Sequence, residues 1–297
     1  YTKFNVSSLT VPSDAPNNTG QKLLIDSSDA ALILHFDEGS GNVTKDASGN
    51  DNDGILGNAT AGTQPTWVDG IYGKALEFDG VDDYIEVSDD ASLDITDAIT
   101  MMAWVIPRGT GNRIILNKAW SDTWANPYTS YDLMVHANNG VEVRFDYDFW
   151  QLGVGRVQND VWNHIAVTYD RFVGKLKLYL NGEFVEDVNV TKELTPTDYP
   201  LYIGSGIGAE YFNGTIDEVR IYPRALSAEE IRQHYESRVV EKGLPELALY
   251  NNGTNEEVLF ATDNLKSMRI EIENESSSNK FDKITYDYIF SEATDTQ

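Results

Sequence analysis

The chain of 297 residues sets 48 aspartates and glutamates against 22 lysines and arginines, for a formal net charge of -26. That balance excludes nucleic acids and anionic membrane surfaces as partners, since both need Lys and Arg to neutralise phosphate, and it makes cations the natural ones. There is no cysteine and no run of about 20 apolar residues, so neither a disulfide framework nor a helical membrane span is expected.

In chain order, residues 1–27 read as an extended arm. It holds one alternating segment, Phe4 to Val11, followed by Pro12, Pro16 and an Asn-rich linker. The chain opens on Tyr1 rather than methionine, which is expected of a chain whose leader was processed or whose anchor was omitted. Ala31 to Asp37 is an apolar stretch that ends in an acidic turn. Ile99 to Ile106 is apolar almost throughout, the pattern of a central strand covered on both faces. Val141 to Tyr147 alternates, with apolar side chains on one face and charges on the other. Trp162–Tyr169 and Leu176–Leu180 are strands, and Asn181-Gly182 supplies a hairpin turn before Glu183-Phe184-Val185. From Tyr211 to Tyr235 the reading is a turn at Asn213-Gly214, a strand over Thr215–Tyr222, a stop at Pro223 and a short helix. Ser227 opens that helix, with Glu230 three residues on, which is a capping box. If Ala31–Asp37 pairs with Thr215–Tyr222, the first and last strands of one sheet meet and close the domain.

These stretches carry a resemblance. FDEGSG with DASGNDNDG, GKALEFDGVDDYIEV, WNHIAVTYD with KLKLYLNGEFV, and FNGTIDEVRIYPRALSAEEI look like the laminin-G-like, concanavalin A-like lectin/glucanase domain, with the motifs in that family's order. The resemblance implies an all-β fold over residues 28–240: an antiparallel jelly-roll β-sandwich with one short C-terminal helix. Residues 244–297 lie outside it and read as a small β-rich extension, with strands expected at Leu247–Tyr250, Val258–Ala261, Met268–Ile272 and Ile284–Phe290. The resemblance also implies a structural calcium near the opening and closing strands, with Asp37, Asn50, Asn52 and Asp217 as ligands. Flexible Asp/Asn/Gly loops of this kind deliver the oxygen donors that calcium takes; the same residues also make plain turns.

Aromatic residues suggest where a ligand binds. Trp120, Trp124 and Tyr128 punctuate a polar stretch between strands, and exposed rings there would stack on the apolar faces of sugars while Asp122 and Asn126 orient hydroxyls. Asn-x-Ser/Thr sequons fall at Asn5, Asn17, Asn42, Asn58, Asn189, Asn213, Asn252 and Asn274, which favours a secreted, glycosylated protein at a cell surface. Glu218 and Arg220, two apart on one strand, are expected to form an ion pair. His164, in the middle of a strand, reads as a satisfied interior histidine. Catalytic machinery is not visible: no nucleophile elbow occurs, and Glu271-Ile272-Glu273-Asn274-Glu275 lacks the central aspartate of the glucanase strand and lies in the extension. The expectation is a non-catalytic extracellular adhesion module that recognises surface glycans or a protein partner, with calcium setting its loops. The alternative is a subunit of a surface filament, pilus or envelope layer that self-assembles by strand addition. A glycoside hydrolase is the remote alternative.

Overall fold

The computed structural model describes residues 29–236 apart from 61, 120–128, 147 and 207–209, together with four short strands beyond residue 248. The chain divides into two compact units, Tyr1–Glu241 and Lys242–Gln297.

The first unit begins with β1 (Leu32–Leu34), β2 (Val43–Thr44), β3 (Gly54–Leu56), β4 (Thr66–Asp69), β5 (Lys74–Asp79), β6 (Ile85–Val87), β7 (Ala98–Pro107) and β8 (Arg113–Ala119). It continues with β9 (Thr129–Val135), β10 (Val141–Asp146), β11 (Asp148–Leu152), β12 (Asn163–Asp170), β13 (Lys175–Leu180), β14 (Glu183–Asn189), β15 (Leu201–Ile203) and β16 (Asn213–Tyr222). Two antiparallel sheets form the sandwich of a jelly roll. Sheet A runs β14-β13-β12-β7-β16-β5-β4 with β1 also on β16, and sheet B runs β11-β10-β9-β8-β15-β6-β3-β2.

Alternation along the strands decides which side chains meet between the sheets. From sheet A come Ile99, Met101, Ala103 and Val105 of β7 and Ile165, Val167 and Tyr169 of β12. Sheet B answers with Tyr131, Leu133 and Val135 of β9 and Val141, Val143 and Phe145 of β10. The remaining apolar residues of β7 face outward. Met102 joins Ile33, Ala166, Tyr179 and Tyr222 in a second, smaller apolar cluster on the outer face of sheet A. A helix, α1 (Ala228–Glu236), covers that cluster and closes it with Ile231. Its first turn has the reciprocal bonds of a capping box: the Ser227 N–H donates to Glu230 Oε2 at 2.8 Å, and the Glu230 N–H donates to Ser227 Oγ at 3.2 Å.

β1 pairs with β16, Leu32 opposite Ile221 and Leu34 opposite Val219, so the opening and closing strands of sheet A do meet. β5 pairs with the other half of β16, from Ile216 to Asn213. Asn213-Gly214 is therefore the first part of the strand rather than a turn before it. The pairing of β16 with β7 breaks between Asp217 and Arg220, and Glu218 sits there with φ of 51°.

The second unit carries two hairpins, β17 (Leu249–Tyr250) with β18 (Glu257–Val258) and β19 (Ser267–Ile272) with β20 (Ile284–Ile289).

Candidate functional site

The outer face of sheet B carries no helix among the described residues, and its side chains make one continuous row across the strands. Glu86 on β6 stands opposite Tyr202 on β15, Tyr202 opposite Asn117 on β8, and Asn117 opposite Asp132 on β9. Asp132 stands opposite Arg144 on β10, and Arg144 opposite Phe149 on β11. Six strands at the usual spacing give a track of roughly 24 Å. The row follows from period-2 alternation: Glu86, Tyr202, Asp132 and Arg144 each lie between neighbours that point into the core, as Leu201 and Ile203 do around Tyr202.

At one end is an aromatic platform. The rings of Tyr84 and Tyr202 meet edge to face, centroids 5.9 Å apart and planes at 62°. Both are half-buried, as are Glu86 and Tyr211. Burial first, then the Glu86 carboxylate and Tyr211, raises the Tyr84 phenol above its usual range, so it stays a neutral donor.

The other end is an ion cluster that is almost fully buried. The Arg144 guanidinium donates to Glu142 Oε1 at 2.8 Å and to Glu210 Oε2 at 2.9 Å, and the Arg144 N–H donates to Asp132 Oδ1 at 3.0 Å. Asn112 also donates to Glu210, and Gln151 to Glu142. Asp132 Oδ2 lies 3.5 Å from the guanidinium and makes no hydrogen bond. Burial pushes Asp132 up to about 8; Arg144 opposes that shift, and Glu142 and Glu210 add to it. Asn117 sits between the two ends, donating to Thr129 Oγ1 at 3.0 Å.

The cluster does bring carboxyl groups together, which the sequence reading did not foresee. Glu142 and Glu210 are both held on one guanidinium, and Asp132 beside it is fully buried.

The four expected metal ligands fall into two pairs. Asp37 and Asp217 flank one turn, residues 70–74, at the point on β16 where β1 ends and β5 begins. Asp217 Oδ2 accepts from the Ile71 N–H at 2.8 Å, its Oδ1 accepts from the Glu218 N–H at 2.8 Å, and Asp37 Oδ1 accepts from the Lys74 N–H at 2.9 Å. A Cβ on Gly70 would lie 2.5 Å from each of Asp217 Oδ2, the Tyr72 carbonyl and the Lys74 carbonyl. Three oxygens thus crowd the place a Cβ would take, so only glycine fits at this turn. Burial, then the neighbouring Glu218, pushes Asp217 up to about 8 against the backbone donors that favour its charge. Asn50 and Asn52 belong elsewhere, at the other end of β1, where their amide nitrogens donate to the Ala30 and Ala31 carbonyls. The Asn50 and Asn52 side chains, together with Asp46, which accepts from the Ile33, Ser48 and Asn52 N–H groups, tie the turn to that strand.

Other expected site residues lie apart. Trp120, Trp124 and Tyr128 are outside the described residues, as are the sequons at Asn5, Asn17, Asn252 and Asn274. Asn58 and Asn189 are exposed, while Asn42 and Asn213 are half-buried. Glu218 and Arg220 form the expected ion pair, at 2.7 Å, and His35 joins it at 2.9 Å from Glu218. His164 is interior, but its Nδ1 has no hydrogen-bond partner. Tyr84 and Tyr202 escaped the sequence reading. The signal was there in YIEV and LYI, where a tyrosine stands at an outward position of an alternating strand.

A two-sheet jelly roll whose second sheet has a polar outer face with no described helix over it defines a protein of the lectin-like sandwich class. The chain belongs to the concanavalin A-like lectin/glucanases superfamily, whose family model matches residues 79–232. A search among curated proteins returned no match. Among solved structures, it is similar to domain 4 of AbnA, a GH43 extracellular arabinanase from Geobacillus stearothermophilus, solved in complex with arabinotriose. That likeness has 19% identity and a TM-score of 0.55 over 69% of this chain and 97% of that one. It is also similar to the binding domain of botulinum neurotoxin serotype G, with 14% identity and a TM-score of 0.53 over 70% of this chain and 50% of that one. The serotype D ligand binding domain, solved with N-acetylneuraminic acid, gives 17% identity and a TM-score of 0.55 over 72% of this chain and 52% of that one. The chain spans about half the length of these toxin domains, and at such identities the likeness shows the fold alone. No helix among the described residues is long and apolar enough to cross a membrane.

Proposed function

We propose that this protein is a non-catalytic, extracellular carbohydrate-binding module that docks a glycan on the outer face of sheet B. The Tyr84–Tyr202 platform carries this reading: two half-buried rings beside the half-buried Glu86 carboxylate supply a stacking surface and a hydroxyl partner of the kind sugar recognition needs. Neighbours of the same fold bound to arabinotriose and N-acetylneuraminic acid support it. Trp120, Trp124 and Tyr128 follow the end of β8, two residues along the chain from Asn117, and are proposed to extend the platform. Surface exposure of the whole protein accords with its charge of -26 and its sequons.

Calcium is proposed as the structural ion, held by Asp217 with the Tyr72 and Lys74 carbonyls and with Asp37 across the turn. Bound there, it would supply positive charge to a buried carboxylate and fix the junction of β1 and β5 on β16. Chelation should lower the melting temperature without touching the tyrosine platform.

The test of binding is a glycan-array screen with the intact chain and with Tyr84→Ala and Tyr202→Ala, run with calcium and with EDTA. Selective binding lost in either tyrosine variant, with melting unchanged, supports the reading. Equal binding by all three proteins overturns it.

A second reading, assembly into a surface filament, is favoured by Phe149 and Phe184, which are 62% and 53% exposed on the end strands β11 and β14. Deleting residues 1–20 should then leave a folded monomer that no longer polymerises, which electron microscopy would read.

A further inference from the structure

Resting on the carbohydrate-binding reading, the geometry points to a charge class for the ligand: the outer face of sheet B takes neutral glycans and rejects anionic ones. Acidic sugars are held by guanidinium or ammonium groups free to pair with a carboxylate. The described strands of this face offer no such group. Arg144 is the cation of the row, and its guanidinium is already committed to Glu142 and Glu210. Lys118, next to Asn117 on β8, is fully buried on Asp89 and the Tyr199 carbonyl. Arg113, at the start of β8, is buried and bonded to the Arg108 and Gly109 carbonyls and to the Asn139 and Asn159 side chains.

Beside these strands, Lys45 after β2 is paired with Asp53 and Lys192 with Asp146 and Asp148, all distant in the strand order from Tyr202, and Arg156 is exposed after the end strand β11. By sequence, residues 120–128 contribute Asp122 and residues 207–209 no charge, and neither contains Lys or Arg. At the platform itself the acidic neighbour is Glu86, directly opposite Tyr202 and close enough to act on the Tyr84 phenol. A sugar stacked on Tyr202 therefore places its hydroxyls where a carboxylate accepts them, while a sugar acid there meets like charge in a partly desolvated site. The two sugars seen on neighbouring folds, one neutral and one acidic, are separated by this criterion.

The experiment is calorimetric titration of the intact chain with sugars matched except for a carboxylate: lactose against sialyllactose, and galactobiose against digalacturonic acid. The neutral member should bind about tenfold or more tighter, the cost of one screened like-charge contact. Raising the salt concentration should strengthen only the acidic member. Glu86→Gln should narrow the gap several-fold with melting unchanged, and Tyr202→Ala should abolish binding of both. An acidic sugar that binds as tightly as its neutral match, or tighter, overturns the charge class and leaves the binding role standing. Binding of neither class, on these pairs or on a full array, overturns both.

Discussion

The two outer faces of the sandwich have opposite fates. On sheet A, Ile33, Met102, Ala166 and Tyr222 make an apolar patch, and the chain covers it with α1. Trp104 continues the patch, stacked on Tyr235 at 5.5 Å and tilted against His164 at 5.1 Å. On sheet B the equivalent outward positions are Glu86, Tyr202, Asn117, Asp132 and Arg144, and no described helix lies over them. The apolar face is a stability element, since its exposure to water would be costly. The polar face gains little from being covered, and it is the face proposed to take a ligand. A substitution should therefore show up in melting when made on sheet A and in binding when made on the platform of sheet B.

The buried end of the sheet B row should break this division most severely. Arg144→Met leaves Glu142 and Glu210 facing each other without their cation, and should cost roughly 3 to 5 kcal/mol in urea unfolding at pH 7. A loss below about 1 kcal/mol would mean the cluster is solvated and the face more open than its burial indicates. Next comes the covered patch of sheet A. Ile231→Ala removes the one fully buried side chain of α1 and should cost about 2 to 4 kcal/mol, with sugar binding unchanged.

Acid sharpens the contrast from the sheet A side. Burial, with His234 and Arg220 close by, brings His164 down to about 3. A folded value below the unfolded 6.5 means that the neutral ring is the one the fold accepts, so its contribution is whole above 6.5 and is lost as pH falls from 6.5 towards 3. The groups facing it are Trp104 from β7, His234 and Tyr235 from α1 and Arg220 from β16, and His35 and Glu218 lie beyond Arg220. Unfolding followed through Trp104 fluorescence should lose roughly 3 kcal/mol on this account between pH 7 and pH 4. His164→Gln should flatten that slope; an unchanged slope would remove His164 as its source.

Much of sheet A was legible because its signals are local. β7 is apolar but for Thr100, the Asn181-Gly182 turn takes φ values of 51° and 79° as a hairpin needs, and the capping box sits within four residues. The platform was not legible, because β6 and β15 are far apart in sequence and only the jelly-roll crossing makes Tyr84 and Tyr202 neighbours. The charged face of β10 was read correctly as one face. What alternation cannot show is that Glu210, 66 residues on, bonds to Arg144 there. Asn50 and Asn52 teach a related point: a ligand-rich loop looks the same in sequence whether its amides meet a cation or, as here, their nitrogens hold the backbone of β1.

Asp132 carries the finest test of the sheet B face. Asp132 is held up at about 8, above its unfolded value near 3.9, so the fold prefers its neutral form. The sign follows: its contribution is whole below 3.9 and declines as pH rises from 3.9 towards 8, opposite to the direction set by His164. Asp132→Asn keeps the shape, the lack of charge and the acceptor for the Arg144 N–H. It should be more stable than the parent at pH 7 and lack the parent's decline between about pH 3.9 and pH 8. A clear loss at pH 7 would instead show that the ionised carboxylate is needed to balance Arg144. Arg144 would then be balanced by three carboxylates rather than two, and the face would be more anionic still.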